Sequence, residues 1–129
     1  MKNLTYASVC YDFIFRHLHL LIPFLLRILG GLKVWSGTLL PIYGWRTYNE
    51  QREQMRQAFN EWLRTSPIFD GCIDFDAAVR STVNPKAFAD GFDSGDHLHP
   101  SDRAYEAMAQ AAIHKVVRSM PRYDHEEYI

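Results

Sequence analysis

The 129-residue sequence lacks three features that mark special classes of protein. Its only two cysteines, Cys10 and Cys72, fit neither a CxxC nor a metal-binding spacing, so we expect reduced thiols and no disulfide. Its net charge of −1 gives no excess of positive charge for nucleic acid or an anionic membrane. Its longest apolar run without a charged residue, residues 17–26, is about half of what a membrane-spanning helix needs. No cofactor is predicted.

The apolar segment Phe13–Leu32 also lacks the features of a signal peptide. Arg16 and Arg27 interrupt it, Pro23 divides it, and no small-residue cleavage site follows closely. A buried or interfacial helix is therefore expected here, and the compartment stays open.

Two short segments predict β-strands. Leu32–Leu40 is rich in β-branched and aromatic residues, and Ile68–Phe75 is a second such run that we expect to end near Asp74. A short helical turn over Asp76–Arg80 is expected to follow.

Two longer segments predict helices. In the first, which begins at Asn49, the apolar side chains Met55, Phe59, Trp62 and Leu63 share one face, which is predicted to be buried. The opposite face is predicted to be solvated and carries Glu50, Arg52, Glu53, Arg56 and Glu61. The second helix is expected to start at the cap Ser101 and end before Pro121. Its predicted apolar face consists of Tyr105, Met108, Ala109, Ala112, Ile113, Val116 and Val117.

Strands that alternate with helices predict an α/β fold with parallel strands. Ligands in such sheets bind beyond the carboxyl ends of the strands. The long polar loop over residues 81–100 leaves the second strand at that end. It is therefore the first place to look for a functional site.

This loop contains Gly95-Asp96-His97-Leu98-His99-Pro100, just ahead of the last helix. Asp96 precedes His99 by three residues. This spacing lets a carboxylate orient an imidazole that acts as a general base.

The block from Asp93 to Ala109 resembles the last conserved block of the SGNH (GDSL-like) hydrolases, a family of lipases and acylhydrolases. The resemblance covers roughly residues 31–119 and rests further on Gly31-Leu32-Lys33-Val34, Gly37-Thr38-Leu39-x-Pro41, Asn49, Arg52 and Asp74–Arg80.

The resemblance implies a partial flavodoxin-like three-layer fold that hydrolyses acyl or acetyl esters. By position, His99 is the general base and Asp96 its orienting carboxylate, and no cofactor or metal is implied. Three segments are expected: an atypical apolar segment at 1–30, the C-terminal part of the hydrolase domain at 31–120, and a tail at 121–129. The N-terminal half of the domain is expected to be missing or replaced by the apolar helical segment.

The sequence departs from the family at the nucleophile. It contains no Gly-Asp-Ser and no Gly-x-Asn-Asp, the motifs that supply the family's serine and an oxyanion donor. None of its serines has that context: Ser8, Ser36, Ser66, Ser81, Ser94, Ser101 and Ser119. Residues 1–28 match nothing in the front half of the family's domain, so truncation, a shifted reading frame or a rearranged gene is expected.

An incomplete domain has a structural consequence. In a sheet of order 2-1-3-4-5, the strand at Leu32–Leu40 would lack one neighbour, and its open apolar edge favours association. We expect a tendency to oligomerise or misfold. A second copy, the N-terminal segment or a complementing N-terminal chain are the alternatives for covering this edge.

Other interpretations stay open. The domain is an ester hydrolase or a non-catalytic remnant that only binds or oligomerises. His97 and His99, with Asp93 or Asp96, are an alternative metal site. Two further candidates remain. Asp74 and Asp76 are an alternative carboxylate pair for glycoside hydrolysis, and Trp45 is an aromatic residue that could line a site.

Overall fold

The computed structural model of this chain describes residues 27–120 together with Ile22 and Leu25. The elements are β1 (Trp35–Gly37), α1 (Glu50–Thr65), β2 (Gly71–Ile73), α2 (Phe75–Val79) and α3 (Asp102–Ser119). Residues 27–30 are helical. Most of the predicted N-terminal helix, Cys10 and the predicted tail lie outside the described residues.

β1 and β2 form a parallel pair in which Ser36 lies opposite Cys72. This pairing, with α1 as the crossover between the strands, confirms the predicted α/β fold class. Both strands are shorter than predicted, and side chains accept backbone N–H groups just beyond the ends of β1. The Asp70 carboxylate accepts the N–H of Val34 at 2.8 Å, and the Asn60 amide oxygen accepts the N–H of Leu39 at 2.7 Å.

α1 begins where the sequence predicts it. The Asn49 side chain accepts the N–H of Arg52 at 2.8 Å and so caps the helix. Glu50 and Glu53 lie in the first turn, where the helix dipole favours negative charge. The helix ends at Thr65, ahead of Pro67.

The predicted orientation of α1 is correct for Glu50, Arg52 and Glu61, which are exposed, but wrong for four other residues. Glu53 and Arg56 are buried, at 1% and 6% exposed, whereas Met55 is 62% and Phe59 44% exposed. Leu63 is buried as predicted. Glu53 and Arg56 turn inward because they find charged partners there, and together with these partners they form a buried ionic cluster.

The buried ionic cluster consists of Glu53, Arg56 and Asp76, with Arg64 and Arg80 at its edge. Arg56 donates to both Glu53 oxygens, at 2.7 and 2.9 Å, and to Asp76 at 2.5 Å. Arg64 and Arg80 each donate to the other oxygen of Asp76, at 3.0 and 2.9 Å. Buried charges are tolerated when they are paired in this way.

α3 is capped by Ser101 as predicted, since its hydroxyl accepts the N–H of Ala104 at 3.3 Å. Its predicted apolar face is only partly correct, because Tyr105 and Ile113 are both 55% exposed. Ala104 is fully buried, as is Val79 of α2. A small side chain at this position lets α3 approach α2 closely.

Candidate active site

The candidate site lies on a closed loop between α2 and α3, residues 92–101, which we call the dyad loop. Its base is joined by two backbone hydrogen bonds. The N–H of Ser101 donates to the carbonyl of Phe92 at 2.9 Å, and the N–H of Ser94 donates to that of His99 at 3.0 Å. An antiparallel bridge pairs Asp93 with Pro100. The loop is therefore held as a hairpin by its own backbone.

Asp96 and His99, which we call the dyad, are in direct contact at the tip of the dyad loop. Nδ1 of His99 lies 2.6 Å from Oδ2 of Asp96. Oδ1 of Asp96 accepts the backbone N–H groups of His99 at 2.9 Å and Leu98 at 3.0 Å, and the hydroxyl of Ser94 at 3.2 Å. Both side chains are exposed, at 50% and 65%. The pair is open to a substrate.

These hydrogen bonds assign the proton of the pair. The N–H and ring of His99, followed by the N–H of Leu98, hold the pKa of Asp96 far below its usual range. An ionised carboxylate only accepts hydrogen bonds. Nδ1 of neutral His99 therefore carries the proton, and Nε2 is left as an acceptor.

A second imidazole–carboxylate pair lies on the same loop. Nδ1 of His97 contacts Oδ2 of Asp93, and Oδ1 of Asp93 accepts the N–H groups of Gly95 at 2.8 Å and His97 at 3.0 Å. The sequence suggested these two residues only as metal ligands. In the structure each histidine takes its own carboxylate. Over the described residues, no group of three or more His, Cys, Asp or Glu side chains is arranged to hold a metal ion.

An apolar groove of about 860 Å³ lies beside the dyad. Leu98, which lies between the two dyad residues in sequence, is part of its wall. The groove is lined by Leu39, Leu40, Ile42, Arg52, Met55, Arg56, Ala58, Phe59, Trp62 and Leu98. The helical spacing of Met55, Phe59 and Trp62 is the sequence signal for it, although the same spacing predicts a buried face.

The other sequence candidates have different surroundings. Asp74 accepts Nε of Arg64 at 2.7 Å, and Asp76 is the centre of the buried ionic cluster. Two carboxylates held by arginines do not form the acid–base pair of a glycosidase. Trp45 lies under the guanidinium of Arg52, 5.9 Å from its ring centre, and is not among the groove-lining residues.

Three of the described serines donate hydrogen bonds to groups other than His99. Ser36 is buried and donates to the carbonyl of Leu63 at 3.2 Å. Ser94 donates to Asp96, and Ser101 donates to the carbonyl of Gly91 at 2.7 Å. Within residues 27–120, no serine hydroxyl is hydrogen-bonded to the ring of His99.

Parallel strands joined by a crossover helix define a mixed α/β fold, and a carboxylate–imidazole pair lies just ahead of its last helix. The sequence model of the family GDSL-like Lipase/Acylhydrolase matches residues 14–112, about three quarters of the chain. The chain therefore belongs to the GDSL-like lipase/acylhydrolase family, as the resemblance predicted.

Three further findings bound this assignment. The family match begins at residue 14, earlier than the resemblance at residue 31, and so includes part of the apolar segment. The search of curated proteins found no match to this chain. In the part of the chain that the structure describes, no helix is both long and apolar enough to cross a membrane.

Proposed function

We propose that His99 is the general base of a carboxylic ester hydrolase and that Asp96 orients it. Membership of the family supports ester hydrolysis, and the contact between Nδ1 and Oδ2 is the observation that carries the assignment. Nε2 of His99 takes the proton of a serine hydroxyl as that oxygen attacks the ester carbonyl. Asp96 then stabilises the imidazolium without taking its proton.

The nucleophile is the open part of this proposal. Neither Gly-Asp-Ser nor Gly-x-Asn-Asp occurs in the sequence, and the Ser94 hydroxyl donates a hydrogen bond to Asp96 rather than to the base. These observations favour a second candidate function for the isolated chain: a non-catalytic domain that retains the base and its carboxylate. A separate chain that supplies the serine would restore the reaction.

The two candidates are separated by an activity measurement. We expect the isolated chain to hydrolyse 4-nitrophenyl acetate no faster than its His99→Ala variant, and to take up no serine-reactive fluorophosphonate probe. His114→Ala, which removes an exposed histidine of α3, is the matched control. Turnover that is lost in His99→Ala but kept in His114→Ala, with one labelled serine, would overturn the non-catalytic alternative.

The base assignment has its own test, which does not require turnover. In ¹⁵N NMR spectra, neutral His99 should carry its proton on Nδ1. Asp96→Asn replaces an acceptor by an amide that can also donate, so the proton should move to Nε2 in part of the population. If the proton of His99 stays on Nδ1 to the same extent in this variant, the assignment of Asp96 as the orienting carboxylate is wrong.

A further inference from the structure

The second pair on the dyad loop, His97 with Asp93, takes no part in the proposed proton transfer. It is nevertheless built from three contacts at one carboxylate. Asp93 binds the ring of His97, the N–H of His97 and the N–H of Gly95. Burial opposes ionisation of Asp93, but the two N–H groups and the imidazole outweigh it and hold its pKa below the usual range.

His97 has a backbone conformation that L-amino acids rarely adopt. Its φ is +60°, and it is the one residue other than glycine with a positive φ in the described part of the chain. A non-glycine residue in this conformation is strained and persists where surrounding contacts hold it. Here the contacts to Asp93 hold it, and the turn at His97 lies between the two dyad residues, Asp96 and His99.

The ring of His97 also links the dyad loop to the loop that follows β1. A Cβ built on Gly44 would lie 2.9 Å from Cγ and 3.0 Å from Cδ2 of this ring. The ring therefore lies against the bare backbone of Gly44, between that backbone and the Asp93 carboxylate. The first loop follows β1 and the second follows α2, so the side chain of His97 joins two segments that are distant in sequence.

We propose that His97 is a positioning residue, which, bound between Asp93 and Gly44, fixes the left-handed turn that brings Asp96 and His99 together. The inference rests on the proposed function, because only a working dyad needs this alignment. His97 itself neither gives nor takes a proton in the reaction.

The test follows the Asp96–His99 hydrogen bond by NMR on the full chain, so it does not depend on turnover. In His97→Ala, we expect the low-field proton of His99 Nδ1 to disappear and the Asp96 carboxyl titration midpoint to rise by about one unit or more. His97→Asn should retain most of both signals, because Asn tolerates the left-handed conformation and its amide can donate to Asp93.

A second variant acts without changing the dyad loop. Gly44→Ala places a methyl group against the His97 ring and should weaken the same two signals. Gly31→Ala is its control, because Gly31 also has a positive φ but a Cβ there meets nothing within 4 Å. This variant should leave both signals unchanged.

The outcomes are distinct. If His97→Ala, or Gly44→Ala should the first variant fail to fold, keeps the low-field proton and the Asp96 midpoint of the wild type, the inference is wrong. If these signals are lost as expected while the esterase assay stays silent, the positioning role holds and only the proposed activity fails.

Discussion

Two charged side chains of α1 face inward and are buried, whereas two large apolar side chains of the same helix face outward and are exposed. Glu53 and Arg56 are almost fully shielded, while Met55 and Phe59 of the same helix face the apolar groove. Burial is therefore decided by what lies opposite each side chain. On the buried side, Asp76 supplies the charge opposite to that of Arg56. On the exposed side, Met55 and Phe59 line the open groove.

The largest effect on the free energy of unfolding is expected from a substitution in the buried ionic cluster. Arg56→Met leaves Glu53 and Asp76 buried without their shared guanidinium, and loss of one partner of a buried ion pair typically costs about 3–5 kcal/mol. Urea unfolding followed by circular dichroism measures this loss. Arg52→Met, on the exposed side of the same helix, is the control and should cost less than about 1 kcal/mol.

A double variant distinguishes charge from packing. Glu53→Gln with Arg56→Met removes one of the two carboxylates that the single variant leaves unpaired. It should recover part of the lost stability. An Arg56→Met variant as stable as Arg52→Met would show that the buried ionic cluster contributes little.

The free energy of unfolding should depend on pH through two carboxyl groups, those of Glu53 and Asp74. Burial opposes ionisation of Glu53 and Asp74, but Arg56 and Gln57 in the first case, and Arg64, the N–H of Ala77 and Thr38 in the second, outweigh it and lower both pKa values.

A lowered pKa in the folded state stabilises the fold at pH values above the unfolded-state pKa, which is about 4 for carboxyl groups. This stabilisation is lost as the pH falls through the folded-state values. The contribution of these two carboxyl groups to the free energy of unfolding should therefore fall as the pH drops below about 4.

Urea unfolding at a series of pH values checks this dependence. Asp74→Asn should flatten the acid slope, while Asp90→Asn serves as control, because Asp90 has no side-chain hydrogen bond or ion pair within the described residues. Stability that rises on acidification would contradict the direction of these pKa values.

The sequence predicted local features better than distant ones. The cap at Ser101, the order of the elements and the proximity of Asp96 to His99 depend on residues a few positions apart. The contact of Arg56 with Asp76 joins residues 20 apart, so hydrophobic periodicity could not reveal that Glu53 and Arg56 are buried. The catalytic roles of Asp96 and His99 stay predictions.

The contact between His97 and Gly44 is beyond sequence reasoning for the same reason. A His-x-His spacing suggests metal binding. Only the fold shows that the ring of His97 contacts Asp93 and packs against the backbone of Gly44. The sequence does not predict the groove, because the lining residues Met55, Phe59 and Trp62 have the same helical spacing as the residues of a buried face.

The smallest effect on stability is expected on the outward side of α1. Met55→Lys replaces a side chain that is already 62% exposed and should change the free energy of unfolding by no more than about 0.5 kcal/mol. The Met55→Lys substitution should instead weaken self-association, because a charge in an exposed apolar groove opposes contact with a second copy of the chain. Sedimentation velocity over a concentration series measures this. Val83→Lys, at a loop position that is 94% exposed, is the control. Association that persists in Met55→Lys would locate the contact elsewhere, with the edge of β1 as the next surface to test, because β1 pairs only with β2 among the described strands.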